Sequence, residues 1–293
     1  MSAPGDTTAA ATSQGRAILM MLGAILCFSI MDASVKALTA KVGVMPGLWA
    51  RYAGQMVIVL ILILPRIKTV TRTAYPGLQI ARSILLMCAT GFFFWGLSLI
   101  TLSSAAALMA VNPVLITLGA ALFLGEKLGF RRLGGIFAAM LGAAIIIRPG
   151  SDIFTPAALL PLCAAMSYSG YALLTRLVGH REDIWTSLFY TGLVGTVILS
   201  LAIPFTWQTP DAAGLALMLA TAGMGTMGQL LLIRALTAGE ASMLAPYAYC
   251  GLIFAALFGI VFFDEWPDQW TLLGTLVIAT AGIYVWHRET YQR

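Results

Sequence analysis

Charge is scarce in this sequence. Only 10% of its 293 residues are Asp, Glu, Lys or Arg, against roughly 25% in ordinary soluble domains. A chain so poor in charge cannot face water all round, which excludes a typical soluble enzyme or binding module. Histidine is scarcer still: His180 and His287 stand alone, and neither has a metal-ligand partner nearby in sequence, so no metal site is expected. The four cysteines (Cys27, Cys88, Cys163, Cys250) lie singly in apolar segments without a CxxC pair, so neither zinc nor a disulfide framework follows. There is no long basic run, so the net charge of +5 does not make a nucleic-acid face. No nucleotide-binding motif is present, and no cofactor is expected.

What is abundant is apolar sequence. Hydrophobic residues make up 60% of the chain, and mean hydropathy is +0.91. A bilayer span needs about 20 apolar residues. Ten segments meet that length, at roughly 17–38, 47–65, 78–99, 103–124, 131–148, 155–176, 184–203, 212–235, 241–263 and 269–287. The expected fold is an all-α membrane protein with ten transmembrane helices. The first run is too long for a signal-peptide core and lacks a clear cleavage site, so it reads as a retained span. Residues 1–15 are small and polar and predict a short disordered tail, and 289–293 a second tail.

Lys and Arg concentrate on the cytoplasmic side of membrane proteins. With both termini inside, Arg16, Arg66, Lys68, Arg72, Lys127, Arg131, Arg132, Arg176, Arg181, Arg234, Arg288 and Arg293 fall on the cytoplasmic side, and only Lys36, Lys41 and Arg148 opposite. That bias places both termini in the cytoplasm.

An internal repeat runs through the chain. Ala24, Phe28, Ser29 and Lys36 recur as Ala164, Tyr168, Ser169 and Arg176, and Tyr52 and Gly54 as Tyr190 and Gly192. Leu97, Ser103, Glu126 and Gly135 recur as Leu236, Ser242, Glu265 and Gly274, all at an offset of about 138–140 residues. Each copy holds an odd number of spans, so the second must enter the membrane from the opposite side. Two inverted five-helix repeats are expected, at 16–150 and 151–288.

The ends of the fourth and fifth spans carry a resemblance. The first half reads Asn112-Pro113, Leu124-Gly125-Glu126-Lys127, Gly134-Gly135 and Leu141-Gly142; the second reads Pro246, Asp264-Glu265, Gly274 and Ala281-Gly282. These resemble the EamA-type members of the drug/metabolite transporter superfamily, over about residues 16 to 288, with Asp264 standing where the pattern has glycine. The resemblance implies a metabolite transporter of the inner membrane. It also implies a central cavity formed by the first four helices of each half, with the fifth peripheral.

Charges inside spans are costly and mark function or pairing. Asp32 and Lys36 share a face of the first helix at i, i+4, and are expected either to pair with each other or to couple transport. Arg51 and Gln55 share a face of the second. Arg82 lies one turn into the third, where it could grip a carboxylate or phosphate, meet lipid headgroups, or pair with Asp32 or Glu126. Of the run Phe92, Phe93, Phe94 and Trp95, Phe93 shares the Arg82 face. Polar stripes place Met109 with Asn112, Tyr168 with Tyr171 and Thr175, Thr221 with Gly225 and Gln229, and Ser242 with Pro246 and Tyr249. Such stripes either bond between helices or line a cavity. Pro113 and Pro246 interrupt corresponding helices and favour bending. Glu126 and Glu265 read as caps or ion-pair partners, and Gly134, Ala138 and Gly142 as close helix packing.

Together these predict a secondary transporter of a small organic solute, amino-acid-like or otherwise amphipathic or anionic, working by alternating access. Proton or exchange coupling is expected, with Asp32 as the coupling carboxylate. An importer of a bulkier metabolite, such as S-adenosylmethionine or riboflavin, is the alternative. An intramembrane enzyme lacks a nucleophile–base cluster, and a channel fits the inverted repeat less well. Oligomeric state leaves no mark on the sequence.

Overall fold

A bilayer offers no water to an exposed backbone, so a spanning chain must close its hydrogen bonds within helices or a closed barrel. The computed structural model describes residues 5–124, 130–148, 155–178, 182–238 and 244–291, and among them every regular element is helical. Helix α1 spans Gly5–Val42, α2 Val44–Ile63, α3 Pro76–Leu97, α4 Leu102–Met109, α5 Asn112–Leu124 and α6 Phe130–Ile147. The chain continues with α7 (Leu159–Val178), α8 (Ile184–Ala202), α9 (Ala212–Ala238), α10 (Cys250–Phe263) and α11 (Gln269–Tyr291). Helix α1 thus reaches back into the stretch expected to be a disordered tail.

Among the described residues, seven stretches are long and apolar enough to cross a membrane: Gly15–Val42, Val44–Val70, Pro76–Leu97, Leu102–Phe123, Pro156–Thr175, Ile184–Phe205 and Ala212–Ala235. Leu133–Ile147, Tyr247–Phe263 and Gln269–Tyr284 are shorter apolar helices. Large apolar side chains such as Leu62, Phe123, Phe137, Leu201 and Phe262 stand exposed, as lipid contact requires.

Local chemistry sets the breaks. Gly43 joins α1 to α2 at φ 77°, a conformation that favours glycine. Pro113 has no N–H and its ring collides with the carbonyl four residues back, so one helix is split into α4 and α5 around Ala110 and Val111. Pro246 likewise stands in a first turn, that of a 3-10 segment, Ala245–Tyr249, which follows helical Leu244 and leads into α10, so its missing donor costs nothing there. Helix α10 ends with Asp264 at φ 54°, the left-handed residue of a C-terminal turn. The amide of Glu265 closes that turn on the Gly259 carbonyl at 2.9 Å. A glycine would suit that position; the aspartate adopts the conformation anyway. Asp211, ahead of α9, accepts the Gly214 amide at 2.6 Å and pairs with Lys41 at 2.9 Å. The amide first and Lys41 after it hold its carboxyl below the usual range.

The two halves interlock. Helix α1 packs on α9 and α3 on α7; α2 packs on α8 and α9, α3 on α8, and α6 on α11. Helices α4 and α1 both meet α10, while α5 meets α7. Exchanging each helix for its counterpart about 139 residues away returns the same set of pairs. Glu126, Lys127 and Ser242 lie outside the described residues.

The α6–α11 contact is close because glycines face each other. A Cβ on Gly142 would stand 2.9 Å from the Gly274 carbonyl, and one on Gly274 would stand 2.6 Å from the Gly142 carbonyl. Gly134, placed with Gly142 in one packing stripe by its spacing, would have nothing within 4 Å of an added Cβ, so it is no part of that contact. Gly142→Leu or Gly274→Leu should therefore cost about 1–3 kcal/mol by overpacking. Gly134→Ala, which meets open space, should instead stabilise the helix by about 0.5–1 kcal/mol, and thermal unfolding of the detergent-purified protein reads both.

Candidate functional site

Lys36 does not pair with Asp32, its neighbour one turn back. Its ammonium donates to the carbonyls of Leu97 at 3.0 Å and Ile100 at 2.6 Å, and pairs with Glu265 at 2.9 Å. Three acceptors match the three donors of an ammonium. The other Glu265 oxygen accepts the Leu102 amide, the first of α4, at 2.8 Å, and the Phe263 ring lies 5.6 Å from Lys36 Nζ. One ion pair thus ties α1 and the α3–α4 turn to the end of α10. The bent turn at Asp264 aims Glu265 at this point. The pair is sheltered, with the two side chains 12% and 21% exposed.

Beneath this latch lies a cavity of about 270 Å3. Its lining comes from α1 (Ile25, Phe28, Ser29, Asp32), α3 (Phe93), α4 and the break after it (Leu102, Ala106, Met109, Ala110), α5 (Asn112, Pro113) and the α10 region (Ala248, Tyr249, Gly251, Leu252, Ala255). Leu102 belongs to both structures: its amide is held by Glu265 and its side chain forms part of the cavity roof. Asp32 is the lining's charged residue, and it has no hydrogen bond or ion pair among the described residues. Asn112 is fixed by the Ser169 hydroxyl, which donates to its Oδ1 at 2.8 Å. Tyr249 offers the cavity its ring, while its hydroxyl is directed at Gly282, a position with no side chain to obstruct it.

Arg51 stands off the lining. It is 3% exposed, and its Nε and Nη1 have no hydrogen-bond partner. The Tyr52 ring lies 5.4 Å from its guanidinium. Gly225 makes room for it, since a Cβ there would stand 2.8 Å from Nη1 and 2.9 Å from Met31 Sδ. Gln55, one turn on, is 1% exposed and donates to the Leu188 carbonyl at 3.2 Å, a bond between α2 and α8.

Arg82 belongs to a separate network towards the other end of the bundle. It donates to Gln79 Oε1 at 2.8 Å and to the Tyr171 hydroxyl at 3.3 Å, and its guanidinium lies 5.2 Å from the Tyr171 ring. Gln229 donates to the same hydroxyl at 3.4 Å. Tyr168 sits beside Tyr171, ring centroids 5.4 Å apart. Gln79 continues to Glu182 at 3.5 Å and Ser187 at 3.4 Å, and Glu182 accepts Thr73 Oγ1 and the Ala74 amide, each at 2.9 Å. Asp32 is not a partner of Arg82, and Glu126 lies outside the described residues.

The residues singled out from sequence therefore fall into three groups. Asp32, Phe93, Met109, Asn112, Pro113 and Tyr249 line the cavity. Arg82, Tyr168, Tyr171 and Gln229 gather in the second network, while Arg51, Gln55 and Lys36 bind or stand between helices. The side chain of Pro246 lies outside the described residues. Sequence reasoning missed Phe28, Ser29, Gln79 and Glu182. Phe28 and Ser29 were visible as repeat positions, and Gln79 as the residue one turn before Arg82. Nothing local marks Glu182, which reaches Gln79 across 103 residues.

Residues 15–148 and 155–286 each match the EamA-like transporter family. An S-adenosylmethionine uptake transporter of Rickettsia bellii is 27% identical over 222 residues, 76% of each chain. A riboflavin transporter of Vibrio cholerae is 29% identical over 280 residues, 93% of each. A pseudopaline exporter of Pseudomonas aeruginosa is 27% identical over 274 residues, 91% of this chain and 94% of its own. A solved crystal structure shares the fold at TM-score 0.66 and 18% identity, over 92% of this chain and 96% of that one. The family and these relatives are transporters, not enzymes.

Lys36→Met strips a donor from Glu265 and from two carbonyls, and should destabilise the protein by about 1–3 kcal/mol. Combined with Glu265→Gln in a double-mutant cycle, the pair should show a coupling of about 0.5–3 kcal/mol. Simple additivity of the two losses would mean that the latch carries no energy.

Proposed function

The chain belongs to the EamA-like transporter family, and from that we propose a secondary transporter that moves a small, amphipathic, amino-acid-like solute across the inner membrane by alternating access. The observation that carries this reading is the cavity itself, walled by α1, α3, α4 and α5 of one half and by the α10 region of the other. A cavity at the seam of two halves changes its exposure when they rock. The ten apolar segments are ten spans in this reading, arranged as two inverted repeats. The two family matches and the exchange-symmetric helix pairing support that arrangement. The Lys and Arg bias puts both termini in the cytoplasm, the Lys36–Glu265 latch outside and the Glu182 network inside.

In the outward-facing state the latch must part, because it ties the two halves on that side. The break before Pro113 and the 3-10 turn at Pro246 give α5 and α10 places to bend. Asp32 is the carboxylate for proton or exchange coupling. Arg51 stands off the cavity lining beside Met31 and Gly225 and balances Asp32 at a distance, and Arg82 holds the inner network through Gln79 and Tyr171.

Import of a bulkier metabolite is the second reading, favoured by the likeness to a riboflavin transporter along 93% of the chain. The cavity, at about 270 Å3, lies just below the roughly 300–1,000 Å3 of pockets for drug-sized ligands. It suits the smaller solute as it stands and would have to widen for the larger.

Solute counterflow in proteoliposomes tests the function. The panel spans amino acids, S-adenosylmethionine, riboflavin and purines. Saturable counterflow of one member is expected, with a pH dependence that Asp32→Asn abolishes. A steady single-channel current without counterflow would replace the transporter by a channel.

A further inference from the structure

We propose that the cavity selects solutes by positive charge: it takes an organic cation, an ammonium or sulfonium on an apolar body, with Asp32 as the specificity-determining residue. The inference rests on the transporter reading above and adds the charge of the group that enters the cavity.

The lining carries one charged side chain, and it is acidic. Asp32 receives no hydrogen bond and no ion pair from the described residues, although Lys36 stands one turn away and Arg51 lies near. Lys36 is fully engaged by Glu265, Leu97 and Ile100. Arg51 stands beside Met31 and Gly225, off the lining, so it balances Asp32 at a distance without occupying its oxygens. A carboxylate held in a mostly apolar cavity with its acceptors empty is costly, and a donor that fills them relieves that cost. A cation does so with a charge-assisted bond. An anion would meet the like charge of Asp32 in a medium that screens it poorly.

The rest of the lining suits the same guest. Phe28, Phe93 and Tyr249 contribute aromatic rings to the lining; ring faces attract a cation electrostatically, and rings cover an apolar body. The Tyr249 hydroxyl is turned away towards Gly282, so it does not compete for Asp32. The basic residues that would point to an anionic guest, Arg51 and Arg82, are absent from this lining.

Three probes that share one phenyl body and differ in charge test the proposal on the intact chain: 2-phenylethylammonium, 3-phenylpropanamide and 3-phenylpropionate. Binding to the detergent-purified protein is followed by calorimetry and by the saturable rise in melting temperature. The cation alone should bind, and Asp32→Asn should weaken it roughly 10- to 100-fold, the worth of one charged hydrogen bond. Asp32→Glu should keep most of the affinity, and Phe93→Ala should lower it. Equal or tighter binding of the amide or the carboxylate, undiminished cation binding by Asp32→Asn, or binding of none of the three would overturn the proposal. The comparison among probes uses the unaltered protein, so it stands even if Asp32→Asn fails to fold. Counterflow separates the two readings. Anion counterflow would leave the transporter and remove the cation selectivity, whereas channel current without counterflow would remove both.

Discussion

A bilayer leaves a buried charge no solvent, so each one must be met by the protein itself or by what the protein binds. That constraint sorts the intramembrane charges of this chain. Lys36 is met completely, by a carboxylate and two carbonyls. Arg82 is met at its two terminal nitrogens, by Gln79 and by the hydroxyl of Tyr171, while its Nε has no partner. Asp32 and Arg51 are left with open valences, although each has the other within electrostatic range. Partnered charges hold helices together. Open ones sit at or beside the cavity, which is where a solute can complete them.

The same constraint explains the interlocked halves. In the first half, Arg82 finds Gln79 within its own helix, but other polar groups look across the seam. Gln55 reaches a carbonyl of α8, Arg82 a tyrosine of α7, and Gln79 a glutamate beyond α7. These bonds cross between the halves, so each half supplies the polar partners of the other. The result is a bundle held by a latch at one end and a hydrogen-bonded network at the other, with the cavity beneath the latch.

The membrane class was legible in sequence because it follows from composition, and the family because the residues at the ends of the fourth and fifth spans carry its resemblance. Ion pairing was less so. Asp32 and Lys36 look like partners at i, i+4, yet a surface rule for helix pairs overlooks what else lies within reach. Lys36 is long enough to reach Glu265, more than two hundred residues on, and two carbonyls freed at the α3–α4 turn compete for it as well. Arg51 and Arg82 looked equivalent as intramembrane arginines. Only the packing of α7 and α9 against them shows that one is bonded and the other is not. Pro113 and Pro246 each stand as the second residue after a break, in α5 and in the 3-10 segment that leads into α10.

Leu102 shows how the latch and the cavity are joined. Its amide is the first unsatisfied donor of α4, and Glu265 is its acceptor. One carboxylate thus serves both ends of the contact, Lys36 on one oxygen and the Leu102 amide on the other. Helix α4 is only eight residues long, Leu102–Met109, and a helix that short draws its stability from its surroundings rather than from itself. Its other end runs into the break before Pro113, where the Val111 carbonyl accepts the Val114 amide at 3.0 Å. The latch thus secures the start of the segment that carries Leu102, Ala106 and Met109 of the cavity wall. In the proposed alternating access, opening on that side would expose Asp32 as well, since the cavity-lining residues Leu102, Ala106 and Met109 are carried by the segment that the ion pair secures.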